Sequence, residues 1–284
     1  VILIGIYLEQ YKKAWRSLRQ HKILFLPDLL SFLAILLLGW LAVSLSGLFP
    51  LISQVPSLQT EEQASKVITA FIGQNFGELI VSIIGFCIAA FVVGSGMLAA
   101  KFGLIRQILS KKQPTSDIAW TWGRAFFWKV VRMRLGVFLL YLGSVVVCGI
   151  LFALLQFVHQ VFAAVITMLA IIILTALLLL GLFMRYPALY KKNMSVSEAI
   201  KTSYSFFIKN KQCVVMTAFI IAVTTLVVKQ IFEVIMTISL SVSGKGAAIV
   251  AVIMSVLMLL VMMGARIFGD LYTFQIYEHY KAKK

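Results

Sequence analysis

Lys101–Arg134 reads KFGLIRQILSKKQPTSDIAWTWGRAFFWKVVRMR. It is the longest polar interruption in a very apolar chain. Eight of its residues are basic: Lys101, Arg106, Lys111, Lys112, Arg124, Lys129, Arg132 and Arg134. One is acidic, Asp117, and three of the chain's five tryptophans, Trp120, Trp122 and Trp128, fall inside it. Basic residues interleaved with aromatics are one signature of nucleic-acid binding. They are equally the signature of a cytoplasmic membrane face, where lysine and arginine collect and tryptophan sits at the headgroups.

The flanks choose between these readings. Of 284 residues, 61% are hydrophobic and 13% charged. A soluble domain is about 45–50% apolar and about 25% charged. So few polar groups do not cover that much apolar surface in water. Several apolar runs exceed the roughly 18 residues that mark a membrane span. The expectation is an all-α, polytopic membrane protein forming one integral membrane domain over residues 1–284. The net charge of +16 then follows from topology, and no nucleic-acid partner is implied.

Six spans are expected: Ile23–Phe49, Phe76–Ala100, Leu135–Phe157, Phe162–Met184, Cys213–Ile238 and Ala247–Tyr272. His159-Gln160 is too short a turn to separate neighbouring helices, so the third and fourth spans are antiparallel partners. Pro50–Asn75 reads as an external loop with a short helix, and Ser239–Gly246 as a short turn. Val1–Leu8 is apolar but too short to span. It has no small-residue cleavage site, so it reads as a fragment start or a segment lying on the membrane, not a signal peptide.

Between spans the pattern changes to amphipathic. In Glu9–Lys22, Tyr11, Ala14, Trp15 and Leu18 share one helical face, with Lys12, Lys13, Arg16 and Arg19 away from it. After the start signal Pro114-Thr115-Ser116-Asp117, Ala119, Trp122, Phe126, Val130 and Met133 form an apolar arc opposite Arg124, Trp128 and Arg132. Ser195-Val196-Ser197-Glu198 fits a capping box opening a third such helix. Val196, Ala199, Ile200, Ser203 and Phe207 share its face. The expected architecture is three helical hairpins, each preceded by a cytoplasmic amphipathic helix lying in the membrane interface. The alternative is a set of basic flanks that only orient the spans. Of the 26 basic residues, 23 fall on one side under this layout, which places both termini in the cytoplasm.

The layout suggests an internal repeat: AWRSLRQHKILFLPDLL at Ala14–Leu30, AFFWKVVRMRLGVFLLY at Ala125–Tyr141 and SYSFFIKNKQCVVMTAF at Ser203–Phe219. Each copy runs from a basic amphipathic helix into a span, although any cytoplasm-to-membrane crossing has this form.

Three stretches carry a family resemblance: GSGMLAAKFGLIRQILSKKQPTSDIAWTWGRAFFWKVV (Gly94–Val131), RYPALYKKNMSVSEAIKTSYSFFIKNK (Arg185–Lys211) and the terminal FGDLYTFQIYEHYKA. The layout resembles an uncharacterised superfamily of bacterial and archaeal six-helix membrane proteins. That superfamily includes the membrane domain attached to some glycerophosphoryl diester phosphodiesterases. The resemblance covers nearly the whole chain and implies no catalytic residue. The chain has no room for the soluble phosphodiesterase domain.

Chemistry-bearing patterns are scarce. HExxH, GxSxG, P-loop and GxGxxG motifs are absent from the sequence. His21, His159 and His279 are far apart, and Cys87, Cys148 and Cys213 form no CxxC pair. Met254, Met258 and Met262 share a helix face as flexible apolar packing. No cofactor, metal or enzymatic activity is expected. Two residue sets remain. Arg16, Arg19, Arg124, Lys129, Arg132, Lys209 and Lys211 are the candidates for anionic lipid headgroups. Asp28, Arg185, Arg266 and Asp270, with Lys229 and Glu233 one helical turn apart in the fifth span, are the candidates for a polar network at membrane depth. The expected role is a scaffold, accessory or envelope-homeostasis factor, with a small-solute or lipid permease as the alternative. A membrane protein partner is left unnamed.

Overall fold

The computed structural model describes residues 2–49, 61–157, 159–192, 194–241 and 247–282. Residues 50–60 of the expected external loop and 242–246 of the expected turn lie outside them. Nine α-helices are described: α1 Ile2–Gln20, α2 Phe25–Leu45, α3 Glu61–Leu109, α4 Ser116–Gln156, α5 Gln160–Gly181, α6 Arg185–Lys192, α7 Val196–Lys209, α8 Lys211–Ser241 and α9 Ala247–Ala282. A short 3-10 turn, Lys22–Leu24, links α1 to α2. Among the described residues there is no strand. Six helices are long and apolar enough to cross a membrane, so this is a multi-pass membrane protein.

The helix boundaries follow local chemistry. Thr115 caps α4 by accepting from the Ile118 N–H at 3.4 Å. At α7 the Ser195 hydroxyl accepts from the Glu198 N–H while the Glu198 carboxylate accepts from the Ser195 N–H, a complete capping box. The end of α3 is a Schellman turn: Lys112 N–H donates to the Gln107 carbonyl and Lys111 N–H to that of Ile108. Lys111 stands at φ 56°, the left-handed position that glycine usually takes there.

α3 and α4 overshoot any bilayer. With 49 residues α3 is about 73 Å long at the usual rise. It bends at Asn75, which leaves helical geometry at φ −113°, ψ 20°, while its amide donates to the Phe71 carbonyl. The two helices run antiparallel from the turn between them. Trp122 lies on Gly103, Ala100 on Gly123, Phe127 on Gly96, and Arg134 beside Gly94. The small residues Gly94, Gly96, Ala100, Gly103 and Gly123 let the backbones approach closely.

This pairing corrects one expectation. Ser116–Arg134 is not a separate helix on the membrane surface. It continues without a break into the apolar half of α4. The other two amphipathic segments do end in breaks, at His21 and at Asn210 (φ −133°, ψ 46°). The middle segment runs on unbroken, packed along α3.

The amphipathic faces pack in large part against protein, although Trp15 of the α1 face stays exposed. Ala14 and Leu18 are buried, and α1 lies along α9 rather than against α2. Tyr11 meets Phe268 edge-on at 4.7 Å, and Tyr7 shares a 3.3 Å hydroxyl contact with Tyr280. Ala119, Phe126, Val130 and Met133 of α4 are buried, as are Ala199, Ser203 and Phe207 of α7. The Ser203 hydroxyl donates to the Gly181 carbonyl at 2.7 Å, locking α7 across the end of α5. A 3.6-residue apolar period looks the same whether its face meets protein or lipid, so the sequence did not distinguish them.

α2 packs along α3, α4 along α5 and α8 along α9, while α3 joins the first two pairs. The buried core gathers at one end, around Ala99–Ile105, Leu182–Tyr190 and Ile267–Tyr277. Farther along the spans burial is rare. The most apolar window of α3 has 0% of its residues buried, and that of α9 6%. Ser46, Ser95, Cys148, Ala163, Thr167 and Thr217 are among the described span residues that are buried. All three cysteines are free thiols.

Candidate functional site

Where α2, α3 and α9 converge on the core, Lys101 is completely buried. Its Nζ lies 3.2 and 3.3 Å from the two carboxylate oxygens of Asp28 and 2.7 Å from Oδ2 of Asp270. The Asp270 approach is an ion pair without hydrogen-bond alignment, since that oxygen has no properly directed donor. The Asp28 contact includes one. Removing an ammonium from water costs several kcal/mol, so the burial of Lys101 depends on these two carboxylates. One cation between two anions leaves the cluster with a formal charge of −1.

Each side chain is placed by its helix. Asp28 stands in the first turn of α2, just after Pro27, where unpaired N–H groups favour a negative charge. Lys101 follows the small residues Ala99 and Ala100, which bring α3 close to its neighbours. Asp270 is next to Gly269, whose missing side chain admits Ile221 of α8; a Cβ there would lie 3.1 Å from Ile221 Cγ2. An aromatic wall flanks the triad: Phe102 meets Tyr186 at 4.5 Å and Phe274 at 5.4 Å between ring centroids. The Tyr190 hydroxyl donates to the Ala99 carbonyl at 3.0 Å, fixing α6 beside the same turn of α3.

Asp28 and Asp270, both expected in a polar network, meet here. Lys101 supplies the charge between them and was read in the sequence only as the first residue of an orienting basic stretch. Its partners lie on other helices, Asp28 being 73 positions away, so no i,i+4 spacing announced the pair. Arg185 and Arg266, expected in the same network, lie outside it. Arg185 turns back to donate to the Leu182 carbonyl at 3.0 Å and lies over the Tyr186 ring. Arg266, one helical turn before Asp270 on α9, is exposed and stays outside the buried contact. Lys229 and Glu233 pair with each other at 3.3 Å on the exposed surface of α8.

A second polar contact was also hidden. Arg134 reaches from α4 to α3, donating to the Phe91 carbonyl at 3.1 Å and to the Ser95 hydroxyl at 2.9 Å. Its guanidinium lies 4.4 Å from the Phe91 ring centroid. The register places it six to ten residues from Lys101 along α3, roughly 9–15 Å toward the apolar half of the helix.

The candidate headgroup residues are spread over the outside of this end. Arg16, Arg19, Arg124, Arg132, Lys209 and Lys211 are exposed, and Lys129 is half-buried over the Phe126 ring. The arginines alternate with aromatics. Arg124 lies 4.8 Å from the ring of Trp120, and Trp15 and Trp128 are also exposed. Among the described residues, no three His, Cys, Asp or Glu side chains gather as a metal site. No family model, curated protein or solved structure matches the chain.

Proposed function

We propose that this is a non-catalytic protein of the cell membrane, a scaffold or accessory factor in envelope homeostasis, whose basic end contacts anionic lipid headgroups. The observation that carries this reading is the set of exposed arginines and tryptophans on α1 and α4: Trp15, Arg16, Arg19, Trp120, Arg124, Trp128 and Arg132. Tryptophan favours the headgroup layer, and each interfacial lysine or arginine adds about 1 kcal/mol of attraction to an anionic leaflet. The positive-inside rule assigns this end, and both termini, to the cytoplasm. The proposal includes kinship with the six-helix superfamily that the layout resembles, whose pattern assigns no catalytic residue.

The test is lipid retention. Protein purified in mild detergent should carry anionic lipid through purification. Arg124→Gln, Lys129→Gln and Arg132→Gln together should reduce it. Unchanged retention counts against the reading.

Small-solute or lipid transport is the second reading. It is favoured by the triad, which places three charges where helices of two different hairpins meet. Flux into proteoliposomes that disappears in Asp270→Asn would support transport over a scaffold.

A further inference from the structure

A groove of about 360 Å³ opens between α7 and the last turns of α9. Three ammonium groups border it, Lys201 and Lys209 from α7 and Lys281 from α9. Lys201 and Lys209 stand one helical turn to either side of Ser205. Lys281 is held in place, its Nζ 3.2 Å from the Tyr277 hydroxyl and over that ring. Between the lysines lie uncharged hydrogen-bonding groups, Thr202, Ser205 and Asn210, and the floor is aromatic, with Phe206, Tyr277 and Tyr280. None of the residues lining the groove is a carboxylate. α8 begins directly after Asn210, and the unpaired N–H groups of its first turn add positive potential on that side.

The arrangement has a chemical complement. Three cations around one concavity repel each other, and an anion with several acceptor oxygens relieves that repulsion. Lysine ammonium groups and serine or threonine hydroxyls both donate to phosphate oxygens, and the lysine bonds are the strong, charge-assisted kind. The volume lies at the small end of ligand sites, enough for a headgroup rather than a large cofactor. The geometry points to a binding site for a phosphate group, carried either by an anionic phospholipid or by a free phosphate. The lipid source rests on the membrane-contact reading above, and the free-phosphate source does not.

The experiment uses the full chain in phosphatidylcholine nanodiscs with two probes. Phosphatidic acid is added to the bilayer and its occupancy read by native mass spectrometry. Inorganic phosphate is titrated separately and read as a rise in unfolding temperature. Binding of either probe is expected, and the responding probe names the source. Lys201→Gln, Lys209→Gln and Lys281→Gln together should weaken that binding about a hundredfold, at about fivefold for each interfacial lysine. Ser205→Asp, at an exposed position in the middle of the groove, should abolish it with all three lysines in place. The triple variant at Arg124, Lys129 and Arg132 should leave groove occupancy unchanged while lowering general anionic-lipid retention, so the two readings fail separately. Binding of neither probe, or wild-type binding by both groove variants, overturns the site.

Discussion

Lys101 Nζ lies 2.7 Å from Asp270 Oδ2, tying the middle of the chain to its last helix inside the core. Asp28 completes the contact from the first span, so one buried ammonium holds three helices. Such a cluster is poor evidence of net stability, because desolvation offsets much of the attraction. Removing one member is a different matter. Lys101→Met leaves two carboxylates facing each other and should cost about 3–5 kcal/mol. The triple change Lys101→Met, Asp28→Asn, Asp270→Asn should recover much of that loss. Apparent unfolding temperatures in detergent separate the cases. Additive losses across the three sites would refute the coupling.

The α3–α4 contact is set by the absence of a side chain at Gly103. A Cβ at that position would overlap Trp122 Cβ and stand 2.6 Å from its Cγ. These atoms are close to the α4 backbone and do not swing aside. Trp122 is also held by Arg106, whose guanidinium lies 4.7 Å from the ring centroid. Gly103→Ala should therefore force the helices apart and cost about 1–3 kcal/mol. Gly85→Ala, on the same helix with nothing within 4 Å, should instead stabilise it by up to about 1 kcal/mol through helix propensity. Opposite signs in paired thermal-unfolding measurements are the expected result.

The sequence made the spans and caps legible because both are local. An apolar run, the Thr115 cap and the Ser195–Glu198 box each need only a few neighbouring residues. It was silent on contacts that require the fold. Lys101 and Arg134 read as orienting charges because their partners, Asp28, Asp270, Phe91 and Ser95, are on other helices. The amphipathic arcs at Ala14 and Phe126 gave the right face but not what covers it. Nothing in the periodicity separates the side of α9 or α3 from a lipid surface.

Lys111 holds a left-handed backbone, φ 56°, at the end of α3. A residue with a Cβ pays about 1–2 kcal/mol for that conformation. Lys111→Gly keeps both bonds of the Schellman turn and relieves the strain, against a larger unfolded-state entropy. The expected net is a stabilisation of about 0.5–1 kcal/mol, read as a higher unfolding temperature and slower amide exchange at Ser110–Lys112. A loss of stability would mean that the lysine side chain contributes more than its backbone costs.

The helix that carries most of the basic groove, α7, begins at the Ser195–Glu198 box, and this gives it an acid limit. The Ser195 N–H and hydroxyl both donate to Glu198 and hold its carboxyl below the ordinary glutamate range. The folded pKa is thus lower than the unfolded one. The box contributes fully above the unfolded value, and its contribution is lost as the pH falls toward and through the folded value. Amide-exchange protection in the first turn of α7, measured against the intrinsic rate at each pH, should fall over that acid range while the first turn of α4, capped by Thr115, changes less. Glu198→Gln keeps the reach to the Ser195 N–H but carries no titrating charge, so its exchange protection in α7 should become nearly independent of pH over the same interval. Ser195→Ala removes the other half of the box and should cost about 1 kcal/mol at neutral pH. If protection in α7 falls with acid equally in wild type and Glu198→Gln, the carboxylate is not what holds the start of this helix.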